Sequence, residues 1–153
     1  VQDIAAYFTE NMVPDALYLM GSGSTVATLM DSLGLESTLL GIDVVSNGEL
    51  LAADVSENQM MEWIENTSLA KIVVTAIGGQ GHLFGRGNQQ LSARVIRRVG
   101  VRNVEIVATK SKLVRLERRP LLADTGDVAL DEAMAGMKSV LVGYDDWVLY
   151  QVA

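Results

Sequence analysis

The sequence predicts an α/β domain built on a mainly parallel sheet with helices on both faces and one small hairpin. Three observations predict it. Short apolar runs alternate with stretches of helical periodicity; Lys71 to Ile77 is a continuous β-branched run of the kind covered on both faces; and glycine-rich loops follow two of the runs. Parallel neighbours need crossover connections, which helices supply.

The elements follow in order. Asp3 to Met12 carries Ile4, Tyr7 and Phe8 at helical spacing, and Pro14 stands beyond its end. Ala16 to Met20 reads as a buried strand, broken by Gly21-Ser22-Gly23-Ser24-Thr25. Val26 to Leu33 reads as a helix closed by Gly34. Thr38 to Val45 and Glu49 to Ala53 read as a hairpin turning at Asn47-Gly48. Ser56 and Gln59 form a capping box for a helix through Ile64. After the Lys71 to Ile77 strand comes a glycine-rich loop from Gly78 to Gln90, and Ser92 then opens a helix that ends at Gly100. Asn103 to Thr109 reads as a strand, Lys110 to Glu117 as a helix, Pro120 to Ala123 as a short strand and Asp127 to Ala135 as a helix. Ser139 to Val142 and Trp147 to Val152 read as the last strands. Met60, Met61, Met134 and Met137, with Trp63 and Trp147, sit in apolar patterns and read as core.

Composition narrows the class. With 153 residues, 49% of them hydrophobic, and a mean hydropathy of +0.24, the chain has the size and apolar content of one packed domain. No apolar run approaches the length that crosses a bilayer, so no membrane role is expected. The absence of cysteine removes thiolate chemistry and fits the cytoplasm. The chain opens on Val1 and runs at once into a helical pattern, as a carboxy-terminal piece of a longer protein would. The net charge of −7 is polarised: ten of the twelve basic residues fall between Arg86 and Arg119, beside only two acids. That district holds no aromatic residue on which bases could stack, so nucleic acid is not the expected partner. A local anion site, a docking face and a solvated pair of basic helices all remain open.

Two loops carry the candidate chemistry. Gly21, Ser22, Gly23, Ser24 and Thr25 combine close-approach glycines, hydroxyl donors and a following helix, the ingredients of a phosphate cradle. The loop lacks the lysine of a P-loop, and an ordinary capped turn would use the same residues. In the second loop, Gly78, Gly79, Gly81 and Gly87 free the backbone to approach a ligand. Arg86 can fork onto a phosphate or carboxylate, and Gln80, Asn88 and Gln89 can read polar edges. His82 is the only histidine, which excludes a histidine-cluster metal site and leaves it as a loop member or a proton carrier. Asp43, Asp54, Asp124 and Asp127 stand at element ends, and the pair framing Asp124-Thr125-Gly126-Asp127 could grip ribose hydroxyls or a metal on a phosphate. Asp127 as a helix cap and Asp124 as a turn residue explain the latter two equally well. No metal-ligand set emerges, and no catalytic residue is assigned.

These segments, with Leu40-Gly41-Ile42-Asp43-Val44-Val45, Ile77-Gly78-Gly79-Gln80-Gly81-His82-Leu83-Phe84-Gly85-Arg86-Gly87-Asn88-Gln89-Gln90-Leu91-Ser92 and Asp124-Thr125-Gly126-Asp127, resemble the carboxy-terminal half of ATP-NAD kinases of the AcoX-like group. The likeness runs in order from about Leu17 to Tyr144, and the long glycine loop is its most specific part. Ser22 stands where that family commonly has proline. The resemblance implies transfer of a phosphoryl group from ATP or polyphosphate to the 2′-hydroxyl of NAD, giving NADP, with Mg²⁺ in the full-length enzyme. The family's Gly-Gly-Asp-Gly motif, in its amino-terminal half, is missing here, and Gln80 stands where an analogous Asp would be in Gly78-Gly79-Gln80-Gly81. The resemblance therefore implies a nucleotide-binding carboxy-terminal domain, inactive without its amino-terminal catalytic half, and leaves homo-oligomerisation open. It also implies a β-rich alternative fold. A sugar-phosphate binding or isomerase-like domain, suggested by the first loop, and a non-catalytic assembly module are the rival readings.

Overall fold

A computed structural model describes residues 1–153. Nine strands and six helices alternate along the chain. In order they are α1 (Gln2–Glu10), β1 (Leu17–Met20), α2 (Ser24–Ser32), β2 (Asp43–Ser46), β3 (Glu49–Ala52), α3 (Glu57–Glu65), β4 (Ala70–Val74) and β5 (His82–Phe84). Then come α4 (Ala93–Val99), β6 (Val104–Val107), α5 (Lys110–Arg115), β7 (Leu122–Ala123), α6 (Val128–Met134), β8 (Gly136–Gly143) and β9 (Asp146–Val152). Seven strands form one sheet in the order β3-β2-β1-β4-β6-β8-β9, and β5 pairs with β7 in a second, two-stranded sheet.

The expected α/β sheet is present, but parallel pairing is confined to its centre. β1, β4, β6 and β8 are mutually parallel, with Leu19 opposite Ile72, Ile72 opposite Val104 and Ile106 opposite Val140. Antiparallel strands close both edges: β2 and β3 on one side, β9 on the other. For the β2–β3 and β8–β9 pairs the physical reason is connection length. Asn47 and Gly48 both hold positive φ, the geometry of a two-residue hairpin, and β8 reaches β9 through a similarly tight turn at Tyr144 and Asp145.

Both faces of the sheet are buried, because side chains alternate along each central strand. Leu17 and Leu19 of β1, Ile72 and Val74 of β4, Ile106 of β6 and Val140 and Val142 of β8 join a core with α3, α4, α5 and α6. Tyr18 and Met20, Val73, Val107 and Leu141 point the other way, into a smaller core under α1 and α2. The helix ends follow local signals: the Ser56–Gln59 capping box forms, and Ser92, Thr109 and Asp127 accept from backbone N–H groups at the starts of α4, α5 and α6. No helix is long and apolar enough to cross a membrane.

Several expectations change in detail. Thr38 to Ile42 is not strand; it wraps around the buried Asp43 carboxylate, which accepts from the Thr38 N–H, the Thr38 hydroxyl and the Asp54 N–H at 2.6–2.9 Å. The strand expected to reach Ile77 ends at Val74, and the second glycine loop contains β5. Met137 and Trp147 are exposed rather than core: they lie on the edge hairpin, where Trp147 meets Tyr7 of α1 edge-on.

Candidate functional site

Because β1, β4, β6 and β8 run the same way, their carboxyl ends share one rim, where ligands of such sheets gather. The chain leaves β1 through Gly21, Ser22 and Gly23. A Cβ on Gly21 would stand 2.7 Å from the Val73 carbonyl oxygen, and one on Gly23 2.7 Å from the Thr75 methyl group. Glycine is needed at both positions because β4 passes so close, and Gly23 also holds φ +109°. No side chain caps the first turn of α2, so its free N–H groups face the rim.

The two glycine loops touch. The buried Ser22 hydroxyl donates to the Gly87 carbonyl at 3.0 Å. The Ser22 hydroxyl thereby ties the first loop to the second.

Two cavities open beside this junction. One, of about 270 Å³, is lined by Gly21 to Ser24, Ala27, Ile77 and Gly87 and by the lip Ser37 to Leu40. The Asp43 clasp shapes that lip, and Leu39 and Leu40 expose their side chains there. The other, of about 350 Å³, lies between α2 and α5 and is lined by Val1, Ser24, Thr25, Thr28, Thr75, Ala76, Thr109, Lys112 and Arg115. Ser24 belongs to both. Neither is lined by a carboxylate or by His82.

The remaining residues of the second loop divide. Lys112 Nζ donates to the Gly78 carbonyl at 3.0 Å, and the Arg119 guanidinium approaches the Gly79 carbonyl at 3.4 Å. Arg86 is exposed and lies over Gly78; it shares no cavity with Thr25. His82 pairs through its backbone with Ile77, and its Nδ1 is buried without a partner. Asn88 is buried, with its amide nitrogen donating to the Leu83 carbonyl and its Oδ1 unpaired. Gln80 is exposed, Gly81 packs under Leu116, and Gln89 makes only a long contact to the Gly85 carbonyl.

Asp43, Asp124 and Asp127 stand apart from the cavities. Asp43 is the clasp described above. Asp127 caps α6 and pairs with Arg97 at 2.7 Å, and this guanidinium, with the Leu130 N–H, holds its carboxyl below the ordinary range. Asp124 is exposed, and its carbonyl oxygen occupies the place a Cβ on Gly85 would need. No group of three or more His, Asp or Glu residues is placed to hold a metal ion.

Thr75, Thr109, Lys112 and Arg115 also line the polar cavity; the sequence offered Lys112 and Arg115 only as members of the basic district and did not single out Thr75 or Thr109. The available signal was a hydroxyl residue just after each of three strands. A larger groove of about 550 Å³ lies elsewhere, between α5 and β9, and includes no residue of either glycine loop.

Comparison with curated proteins and with solved structures returned no match. The family model for the ATP-NAD kinase C-terminal domain does match, over residues 14–152, a span that takes in both glycine loops and the whole central sheet. By that match the chain belongs to the ATP-NAD kinase C-terminal domain family.

Proposed function

We propose that these residues form the nucleotide-binding carboxy-terminal domain of an NAD kinase of the AcoX-like group, folded as one unit within a longer protein. The reaction of the whole enzyme is phosphoryl transfer from ATP or polyphosphate to the 2′-hydroxyl of NAD. The observation that carries the reading is the Ser22–Gly87 hydrogen bond, which joins two glycine loops at the carboxyl rim and leaves a cavity on either side of Ser24. One cavity is rich in hydroxyls and cations and the other is walled by Leu39, Leu40 and Ile77, which suits a ligand with an anionic part and an apolar part.

Catalysis is assigned to a partner amino-terminal half. A hydroxyl acceptor needs a base within hydrogen-bond reach, and neither cavity offers a carboxylate or histidine. Mg²⁺ would be held by the nucleotide phosphates and by residues outside this chain.

Titration calorimetry with NAD, NADP and ATP, with and without Mg²⁺, tests the reading. At least one is expected to bind, and Ser22→Ala to weaken it by about three- to tenfold through loss of one hydrogen bond. Absence of heat with all three, or protection by ribose 5-phosphate alone, would overturn it.

A further inference from the structure

We propose that the polar cavity walled by Ser24, Thr25, Thr75, Thr109, Lys112 and Arg115 is a phosphate-binding site, and that the adjoining apolar cavity takes the uncharged part of the same ligand. The inference rests on the nucleotide reading for which molecule carries the phosphate, not for the phosphate itself.

Four observations carry it. Thr25 and Thr75 are only 8% and 4% exposed, line the cavity, and have hydroxyls that make no hydrogen bond within the protein. The two hydroxyl oxygens are not sealed inside the protein, so each is open to an acceptor in the cavity. Lys112 and Arg115, three residues apart on α5, project to one side and bring two positive charges to the wall. No carboxylate lines the cavity to balance them, and Arg115 forms no ion pair. Third, the uncapped first turn of the nine-residue α2 adds backbone N–H donors at the same wall. Finally, Lys112 is held in place by the Gly78 carbonyl, so the cation is positioned before any ligand arrives. A phosphate group, with several acceptor oxygens and up to two negative charges, satisfies the hydroxyls, the N–H groups and the cations together.

The chemistry also separates the two cavities. The apolar one has no charged residue in its wall, so a charged group there would lose its hydration without compensation. Ser24, shared by both, marks where the phosphate joins the rest of the ligand.

The test uses the 153-residue chain with inorganic pyrophosphate, ADP and adenosine as calorimetric probes. Two variants accompany it. Arg115→Gln alters an exposed side chain without a protein partner, and Thr75→Val keeps the side-chain shape while removing a hydroxyl that no protein group uses. Pyrophosphate and ADP are expected to bind with affinity that falls as salt is added, and adenosine more weakly than ADP. Each variant is expected to weaken ADP by about ten- to a hundredfold, since each removes a hydrogen bond or charge from an anion. Thr75→Val is expected to leave the melting temperature unchanged or slightly raised, which separates lost binding from lost fold.

If NAD or ATP binds but neither variant changes the affinity, the phosphate site is overturned and the nucleotide reading survives. If pyrophosphate binds, the variants weaken it, and ADP gains nothing over it, the phosphate site stands and the nucleotide reading fails. Absence of binding by both pyrophosphate and ADP overturns the proposal.

Discussion

The clasp around Asp43 offers the sharpest test of whether this residue serves the fold or the ligand. Its carboxylate is 2% exposed and accepts three hydrogen bonds: Thr38 N–H at 2.7 Å on one oxygen, Thr38 Oγ1 at 2.6 Å and Asp54 N–H at 2.9 Å on the other. In Asp43→Asn, one of those oxygens becomes an NH₂ that must face a backbone N–H, and the surviving bonds lose their charge assistance. With hydrogen bonds to charged groups worth about 1.5–3 kcal/mol each, one lost and the rest weakened gives about 3 kcal/mol of destabilisation. For a domain of this size that lowers the melting temperature by about 6–12 °C. Urea unfolding followed by Trp63 and Trp147 fluorescence measures it, with the m-value expected to stay constant. An unchanged midpoint with a large loss of NAD or ATP affinity would refute the clasp and make Asp43 a ligand residue.

Two further outcomes follow from local geometry. Gly85→Ala sets a Cβ against the Asp124 carbonyl at φ +93°, so it is expected to destabilise by at least about 2 kcal/mol. Gly79→Ala, with nothing within 4 Å of the new carbon, should stay within about 0.5 kcal/mol in the same thermal melts. The Arg97–Asp127 pair sets the sign of an acid effect. Since Asp127 is held below its ordinary range when folded, its stabilisation is present at neutral pH and is lost as pH falls below about 5 and through the lowered value. Arg97→Gln should therefore lower stability at pH 7 and not at the acid end, flattening the acid limb by that same amount, which is small because both side chains reach solvent. Parallel acid limbs for the two proteins would remove that role.

What was legible in the sequence is what is encoded locally. The capping box at Ser56, the Asn47-Gly48 turn, the Asp127 cap and the glycine loop after β1 all depend on residues a few positions apart, and all four form. Where an outcome depended on distant partners, the reading failed. β5 exists because Leu122 and Ala123, some forty residues away, pair with it. Thr38 to Ile42 has the composition of a strand, but the buried charge of Asp43 requires donors that only a wrapped loop supplies. Thr75 and Thr109 look ordinary in their own segments, and Lys112 and Arg115 are two among ten bases of one district. They meet because β1, β4 and β6 lie side by side in parallel, and no window of sequence contains that adjacency.

The second glycine loop is stitched at several points. β5 runs beside β7, and the segment leading through β7 exchanges backbone hydrogen bonds with Gln151 and Ala153 at the far end of β9. A segment so rich in glycine would ordinarily behave as a flap, disordered when empty and gathered in by its ligand. Here the seam makes it a wall. The amides of His82 to Phe84 should resist hydrogen exchange until the domain opens as a whole, and ligand should meet a surface already shaped for it, with little entropy of ordering left to lose.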